Sequence, residues 1–500
     1  MPNTDHQQPG SYKAEKNSSP AGMQPAATGT PAASSLSHFD TALPVISLPK
    51  GGGAIKGIEE KFRVNAVTGT SSLSIPLPFS AGRTGAPAIG LSYNSGAGNS
   101  AFGLGWQLDI PSVARKTEKR LPQYFDEEES DTFIIAGAED LVPLLELQSG
   151  KWVPYKKQRT VNGISYTIRR YRPRIEGSFT RIEKWTKDTT GEVHWKTISA
   201  GNVHSYFGVT AASRLADPAD PQRVFEWLLS YTHDDKGNIT LFQYKPEDYA
   251  GIPSVQYEKN KTGHCSQLYL KKILYCNKTP WNLGDALPAE NDFLFSTLFD
   301  YGEHAAAANL PQTVFAESRP WPCRKDPFST HRSGFEIRTW RRCKRVLMFH
   351  CFSPQELPVN PYLTKSLELF YDDELNYTGS GRKESGFSFL VMVRQSGHIW
   401  DAAQNFYTTK SLPETEFSYQ PHEWNTEVSY VTAEQAVQVP AGLQDKRYLW
   451  IDLFNEGIAG ILTEQGGSWY YKSNLGGAEF SNALPLKDLP SFRGLATGMV

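Results

Sequence analysis

The segment Gly96-Ala-Gly98-Asn-Ser-Ala101 has the G-x-G-x-x-G/A spacing of a dinucleotide loop and follows a strand-like stretch. That chemistry requires a helix opening directly after the glycines, because the pyrophosphate rests on the helix N-terminus. Phe102-Gly-Leu-Gly-Trp106 opens a helix poorly and Pro111 follows too soon, so a turn is expected. Asp452, Asn455 and Gly457 suggest a calcium loop, but the spacing is D-x-x-N-x-G and lacks the closing Glu; a metal-free turn is expected. Asp126-Glu-Glu-Glu-Ser-Asp131 gathers carboxylates that could serve as general acid and base. So acidic a run between Tyr124 and Phe133 reads instead as a solvated loop. His350-Cys351 could pair a thiol with its base, yet neighbours in a strand point to opposite faces. Trp469-Tyr470-Tyr471 could stack on sugars and reads more readily as core. No G-x-S-x-G, P-loop or H-E-x-x-H occurs, so no catalytic, cofactor-binding or metal-ligating residue is assigned, and no cofactor or enzymatic activity is expected.

The surroundings of these residues point to β-structure. Of 500 residues, 39% are hydrophobic and 12% aromatic, and Gly 41 with Pro 33 provide frequent turns. Leu73, Ile75, Leu77 and Phe79 alternate with small residues or proline, as do Ile89, Leu91 and Tyr93 in a second run. Pro76 and Pro78 donate no ladder hydrogen bonds, so the first of these strands is expected at an edge or irregular. Strand-like stretches recur at 165–169, 179–185, 193–195, 225–231, 240–244, 334–339 and 366–371, with a weak helical period only around Arg341 to Phe349. His233-Asp-Asp-Lys-Gly-Asn-Ile-Thr240 combines Asp and Asn with Gly237 and specifies a tight hairpin.

Charge and cysteine content exclude several classes. Lys+Arg 51 against Asp+Glu 53 leaves a formal charge of -2, without the cationic surplus that nucleic-acid binders use. No stretch is apolar enough to span a membrane as a helix, and the N-terminus lacks the layout of a secretory signal. Synthesis in the cytoplasm without a standard leader, and no direct membrane insertion, are expected. Cys265, Cys276, Cys323, Cys343 and Cys351 are too few for a disulfide framework and read as buried free thiols.

Four segments are expected. Residues 1–41, with five Pro, six Ser and six Ala but only Tyr12 and Phe39 as aromatics, cannot bury enough surface to order and read as a disordered leader. Residues 42–425 read as one large irregular β-domain, 426–447 as a linker, and 448–500 as the beginning of a β-propeller that is incomplete within the chain.

Three stretches carry a family resemblance: Leu48-Pro-Lys-Gly-Gly-Gly-Ala-Ile55, Ser74-Ile-Pro-Leu-Pro-Phe-Ser-Ala-Gly-Arg-Thr-Gly-Ala-Pro87, and Leu91-Ser-Tyr-Asn-Ser-Gly-Ala-Gly-Asn-Ser-Ala-Phe-Gly-Leu-Gly-Trp106. They resemble the opening of the SpvB family, which includes the N-terminal part of the B components of bacterial insecticidal Tc toxin complexes. Ile110–Lys116, Thr167–Arg174, Gly208–Pro218, Phe299–Glu303, Asp326–Ser329, Gly334–Arg338 and Arg342–His350 continue the likeness in order to about residue 375. The resemblance implies an all-β fold: a multi-stranded β-shell that encloses a toxic effector with an Rhs-type C component and docks through its propeller on a pore-forming A component. It also implies a secreted virulence factor. The alternative is the N-terminal part of an SpvB-type ADP-ribosylating protein whose catalytic domain is absent here, so no catalytic residue is carried over. Cell-surface carbohydrate binding through exposed aromatics is a third, weaker reading.

Overall fold

The computed structural model describes residues 61–64 and 70–487, apart from 84, 137–138, 307–308, 375–385, 420–429, 431, 433–447, 455–456 and 478. The expected leader and most of the expected linker lie outside the described residues. The chain divides into two compact units, residues 1–420 and 421–500.

The first unit is built on an antiparallel sheet of 18 strands. Eight of its strands close on themselves. The ring runs Ser112–Arg115, Phe133–Ile135, Glu139–Pro143, Ile164–Pro173, Arg181–Lys187, Val193–Ile198, His204–Phe207 and Asp220–His233, whose last strand pairs with the first. A barrel of this size is just wide enough to be filled by side chains. Its filling is aromatic: Phe133, Tyr171, Trp195 and Trp227 are buried and meet at ring separations of 4.9–6.1 Å, mostly edge to face.

Strand Asp220–His233 serves both the barrel and the open sheet beyond it. Trp227 pairs with Val113 of the barrel, whereas Tyr231 pairs with Leu241 of the next strand, Ile239–Pro246. The register slips between Tyr206 and Phe207, whose partners are Tyr231 and Leu229. Such a bulge turns the apolar alternation from one face to the other. Trp227 and Leu229 accordingly join the barrel core, and Tyr231 joins a separate cluster with Tyr206, Leu241 and Trp281. The open sheet continues through Leu268–Asn277, Phe293–Asp300, Arg345–His350, Tyr362–Tyr371, Leu390–Asp401 and Phe406–Ser411. At the other end, Lys156–Val161 pairs, among the described residues, only with Ile164–Pro173 and is exposed along almost its whole length.

The hairpin expected at 233–240 is present. Asp234 Oδ1 accepts from the amides of Lys236 and Asn238 at 2.9 and 2.8 Å, and Gly237 takes φ +77. A Cβ on Gly237 would lie 2.7 Å from the Trp281 carbonyl, so glycine is required twice over. Two expectations are corrected. Strand Ser71–Pro76 is not at an edge: it pairs with Lys61–Val64 on one side and Gly90–Asn94 on the other, and Pro76 is tolerated because it ends the strand. The helical period near Arg341 to Phe349 is overridden, since 345–350 is a central strand whose neighbours bury both faces. Gln256–Lys259 is the one α-helix among the described residues, and no described helix is long and apolar enough to cross a membrane.

In the second unit, Tyr448–Ile451, Gly460–Gln465, Ser468–Lys472 and Leu484–Pro485 form a four-stranded antiparallel sheet, the strand number of a propeller blade. Leu462, Trp469 and Tyr471 form its core.

Candidate functional site

The acidic run at 126–131 does not behave as a solvated loop. Glu127 and Glu128 are exposed, but Asp126, Glu129 and Asp131 turn inward and close one end of the barrel. Arg115, fully buried, donates to Asp126 Oδ1 at 2.6 Å, to Asp126 Oδ2 at 3.1 Å, to Asp131 Oδ2 at 2.8 Å and to the Val224 carbonyl at 2.8 Å. Arg169 reaches Glu129 at 2.7 Å, and Tyr171 donates to the same carboxylate at 3.2 Å. Lys184, on a barrel strand and buried, lies 3.4 Å from Asp126 Oδ2 and 4.7 Å from the Phe133 ring centre. Burial lowers the Lys184 pKa; burial opposes ionisation of Asp126 too, but Arg115 and Lys184 together hold that carboxyl below its ordinary value. Tyr124 and Glu129 take left-handed φ values of 64 and 52, strain of about 1–3 kcal/mol each that the ion pairs hold in place. Asp126, Glu129 and Asp131 are thus paired with cations on the barrel strands.

Asp300, Glu303 and His304 bring three potential metal-ligating atoms within 4.8 Å of one another. Their lone pairs are already committed. Lys271 Nζ bonds Glu303 and lies 2.7 Å from His304 Nε2, while Arg345 Nε donates to Asp300 Oδ2 at 2.8 Å. Asp300 Oδ1 accepts from the Gly302 amide at 2.7 Å. The ammonium and guanidinium supply the positive charge a metal would bring, so the trio is an internal cross-link between strands Leu268–Asn277, Phe293–Asp300 and Arg345–His350.

The other motifs resolve into structure. Gly96–Ala101 is a turn leading into the Asn99–Ser100 and Gly103–Leu104 hairpin, with no helix to hold a phosphate. Asp452 Oδ2 accepts from the Gly457 amide at 2.7 Å; Asn455 lies outside the described residues. His350 Nε2 lies 2.8 Å from Ser80 Oγ, and burial pushes the Cys351 thiol up to about 11, so the two form no nucleophile–base pair. Trp469 and Tyr471 are buried and Tyr470 half-buried. All five thiols are free; Cys265 and Cys343 are buried. Sequence reading missed Lys184 and Glu226, neither of which sits in a motif.

Three histidines, His304 and His398 buried and His204 half-buried, make the fold acid-sensitive. Burial lowers His204, His304 and His398 to about 4 from 6.5. Between those values the unfolded chain binds protons that the native protein refuses. Stability contributed above pH 6.5 is therefore lost as pH falls toward 4. Asp326 works in a different window: burial opposes its ionisation, but Arg324 and Ser388 bring it down to about 2, so its contribution fades only below the ordinary carboxylate range. The expected result is a melting temperature that drops steadily from pH 7 to 4; a flat profile across that range, measured by scanning calorimetry, contradicts it.

Comparison with known proteins matches this architecture. The SpvB family, described as Salmonella virulence plasmid 65kDa B protein, matches residues 65–352. The mono(ADP-ribosyl)transferase SpvB of Salmonella choleraesuis strain SC-B67 is 36% identical over 340 residues, 65% of this chain and 54% of that protein. This chain thus spans about half the length of the relatives it matches. The N-terminal domain of effector protein SpvB from Salmonella typhimurium strain LT2 is 33% identical with a TM-score of 0.56, covering 65% of this chain and 98% of that one. TcdB2-TccC3 is 31% identical with a TM-score of 0.74 over 90% of this chain and 21% of its own. The Photorhabdus luminescens Tc holotoxin pore is 33% identical with a TM-score of 0.71 over 91% of this chain and 20% of its own. With more than half of its length matched to the family, and its all-β architecture shared with these structures, the chain belongs to the SpvB family.

Proposed function

We propose that this chain is a wall-forming part of a toxin-complex B-type subunit. In this reading it lines, with a TccC3-type Rhs partner, a compartment for a toxic effector, and the sheet at 448–485 begins a propeller that docks on a pore-forming component. The observation that carries it is the extent of likeness. The SpvB domain matches 65% of this chain, whereas the TcdB2-TccC3 structure matches 90%. The likeness to the toxin complex thus reaches beyond the module shared with SpvB. A role in containment also suits a molecule whose buried Asp300, Glu303 and His304 are spent on a cross-link between strands. On this reading residues 42–425 form the shell domain, 426–447 the linker to the propeller, and the assembled product is secreted and non-catalytic.

The test is co-expression of the full-length gene product with a TccC3-type chain. The effector is expected to co-elute with the pair and to resist protease until the complex is denatured. An effector digested as fast with the partner as without it overturns the proposal. The SpvB-type alternative predicts instead that the full-length product transfers label from NAD to actin.

A further inference from the structure

Outside the barrel wall lies an open cleft of about 370 Å³, within the volume range of small-ligand sites. Phe102, Leu108, Leu228, Tyr269, Tyr301 and Phe328 are among its apolar lining residues. Asn99 to Ala101, from the glycine-rich stretch, form part of the rim, so that segment lines a pocket although it holds no nucleotide.

One acid lines this cavity, and no Lys, Arg or His does. Glu226 lies on strand Asp220–His233 between Phe225 and Trp227 and opposite Ala114, so its side chain leaves the barrel on the outer face. Ser112 Oγ donates to Glu226 Oε1 at 2.5 Å, and no ion pair reaches it among the described residues. The contrast with other acids of this unit is chemical: Glu247, Glu258, Asp300 and Glu303 each hold an Arg or Lys side chain. Glu226 is half-buried, and a carboxylate shielded from water without a cation is costly, so desolvation raises its pKa. Nothing in the fold explains an acid at this position, since a leucine would complete the apolar wall at less cost.

We infer that this cavity binds a cation carried on an apolar stem, with Glu226 as its counter-charge and the surrounding aromatic rings as its walls. A primary ammonium or a guanidinium fits: each donates several hydrogen bonds to a carboxylate, and each is attracted to aromatic faces. Such a group can come from a free amine or from an arginine side chain of another polypeptide.

Calorimetric titration of the 500-residue protein distinguishes these sources. The probes are benzylamine against benzyl alcohol, and acetyl-Ala-Arg-Ala-amide against its citrulline counterpart. At least one cationic probe is expected to bind about ten-fold or more tighter than its neutral twin, a preference that a charge-assisted pair in a shielded site supplies. Binding of benzylamine alone assigns a small-amine site, and binding of the peptide alone a polypeptide partner. Glu226→Gln is expected to abolish the preference. Leu228→Trp, which fills the cavity and keeps the acid, is expected to abolish binding itself and serves if Glu226→Gln does not fold. Failure of both cationic probes to bind the wild type, or unchanged binding in either variant, overturns the inference.

Discussion

Replacing Arg115 by methionine is expected to lower the free energy of unfolding by about 3–5 kcal/mol, the usual cost of removing one partner from a buried ion pair. The side chain is fully buried, and its guanidinium answers two carboxylates and one carbonyl at once. Methionine matches the volume but leaves Asp131, whose side chain is only 3% exposed, without its cation. Asp126 keeps Lys184 at 3.4 Å, which limits the damage there. Restoring neutrality with Arg115→Met and Asp131→Asn together is expected to recover part of the loss. Urea unfolding followed by tryptophan fluorescence measures both, and a single-variant loss under about 1 kcal/mol would show that the barrel mouth is not held by this network.

The second large effect lies where strand Asp220–His233 passes the turn at Gly208. This glycine has φ +65, and a Cβ there would lie 2.8 Å from Trp227 Cγ. Gly208→Ala therefore combines backbone strain with a clash against a fully buried indole, and a loss of about 3–5 kcal/mol is expected. Trp227→Ala costs a similar amount, about 3–5 kcal/mol, by opening a cavity among Phe133, Trp195 and Arg115. The two changes must be strongly non-additive. With the indole gone, Gly208→Ala escapes the clash with the ring and keeps the left-handed backbone cost of about 1–2 kcal/mol together with a 2.9 Å approach to the Cβ that alanine retains at residue 227. A double-mutant cycle that comes out additive would refute the steric reading.

Some of this was legible in the sequence because its determinants are local. The hairpin at 233–240 is specified by Asp234, Gly237 and Asn238 within one turn, and strand Gly90–Asn94 by alternation within a few residues. Closure of the barrel was not legible. It depends on Tyr171 meeting Pro143 and Glu226 meeting Ala114, pairings across long stretches of chain that no period of two encodes. The acidic run misled for the same reason. Composition predicts water around Asp126, Glu129 and Asp131, whereas Arg115, Arg169 and Lys184 reach these three acids from separate strands. Proline misled differently: Pro76 does forgo a ladder bond, but it is the strand's last residue, past the Ser71–Ser74 stretch that pairs with Lys61–Val64. Glu226 was invisible because a single acid in an apolar strand has no motif, and only the cavity beside it gives the residue meaning.

The strand Lys156–Val161 also bears on how many copies of the molecule can share a solution. Its outer margin is a ready template for fibril-like stacking, and the residues along it are Lys156, Lys157, Gln158, Arg159 and Thr160, all exposed. Two such margins meeting in register would oppose several positive charges at close range, so concentrated protein should resist ordered self-assembly along this strand. Salt, by screening that repulsion, should weaken the resistance.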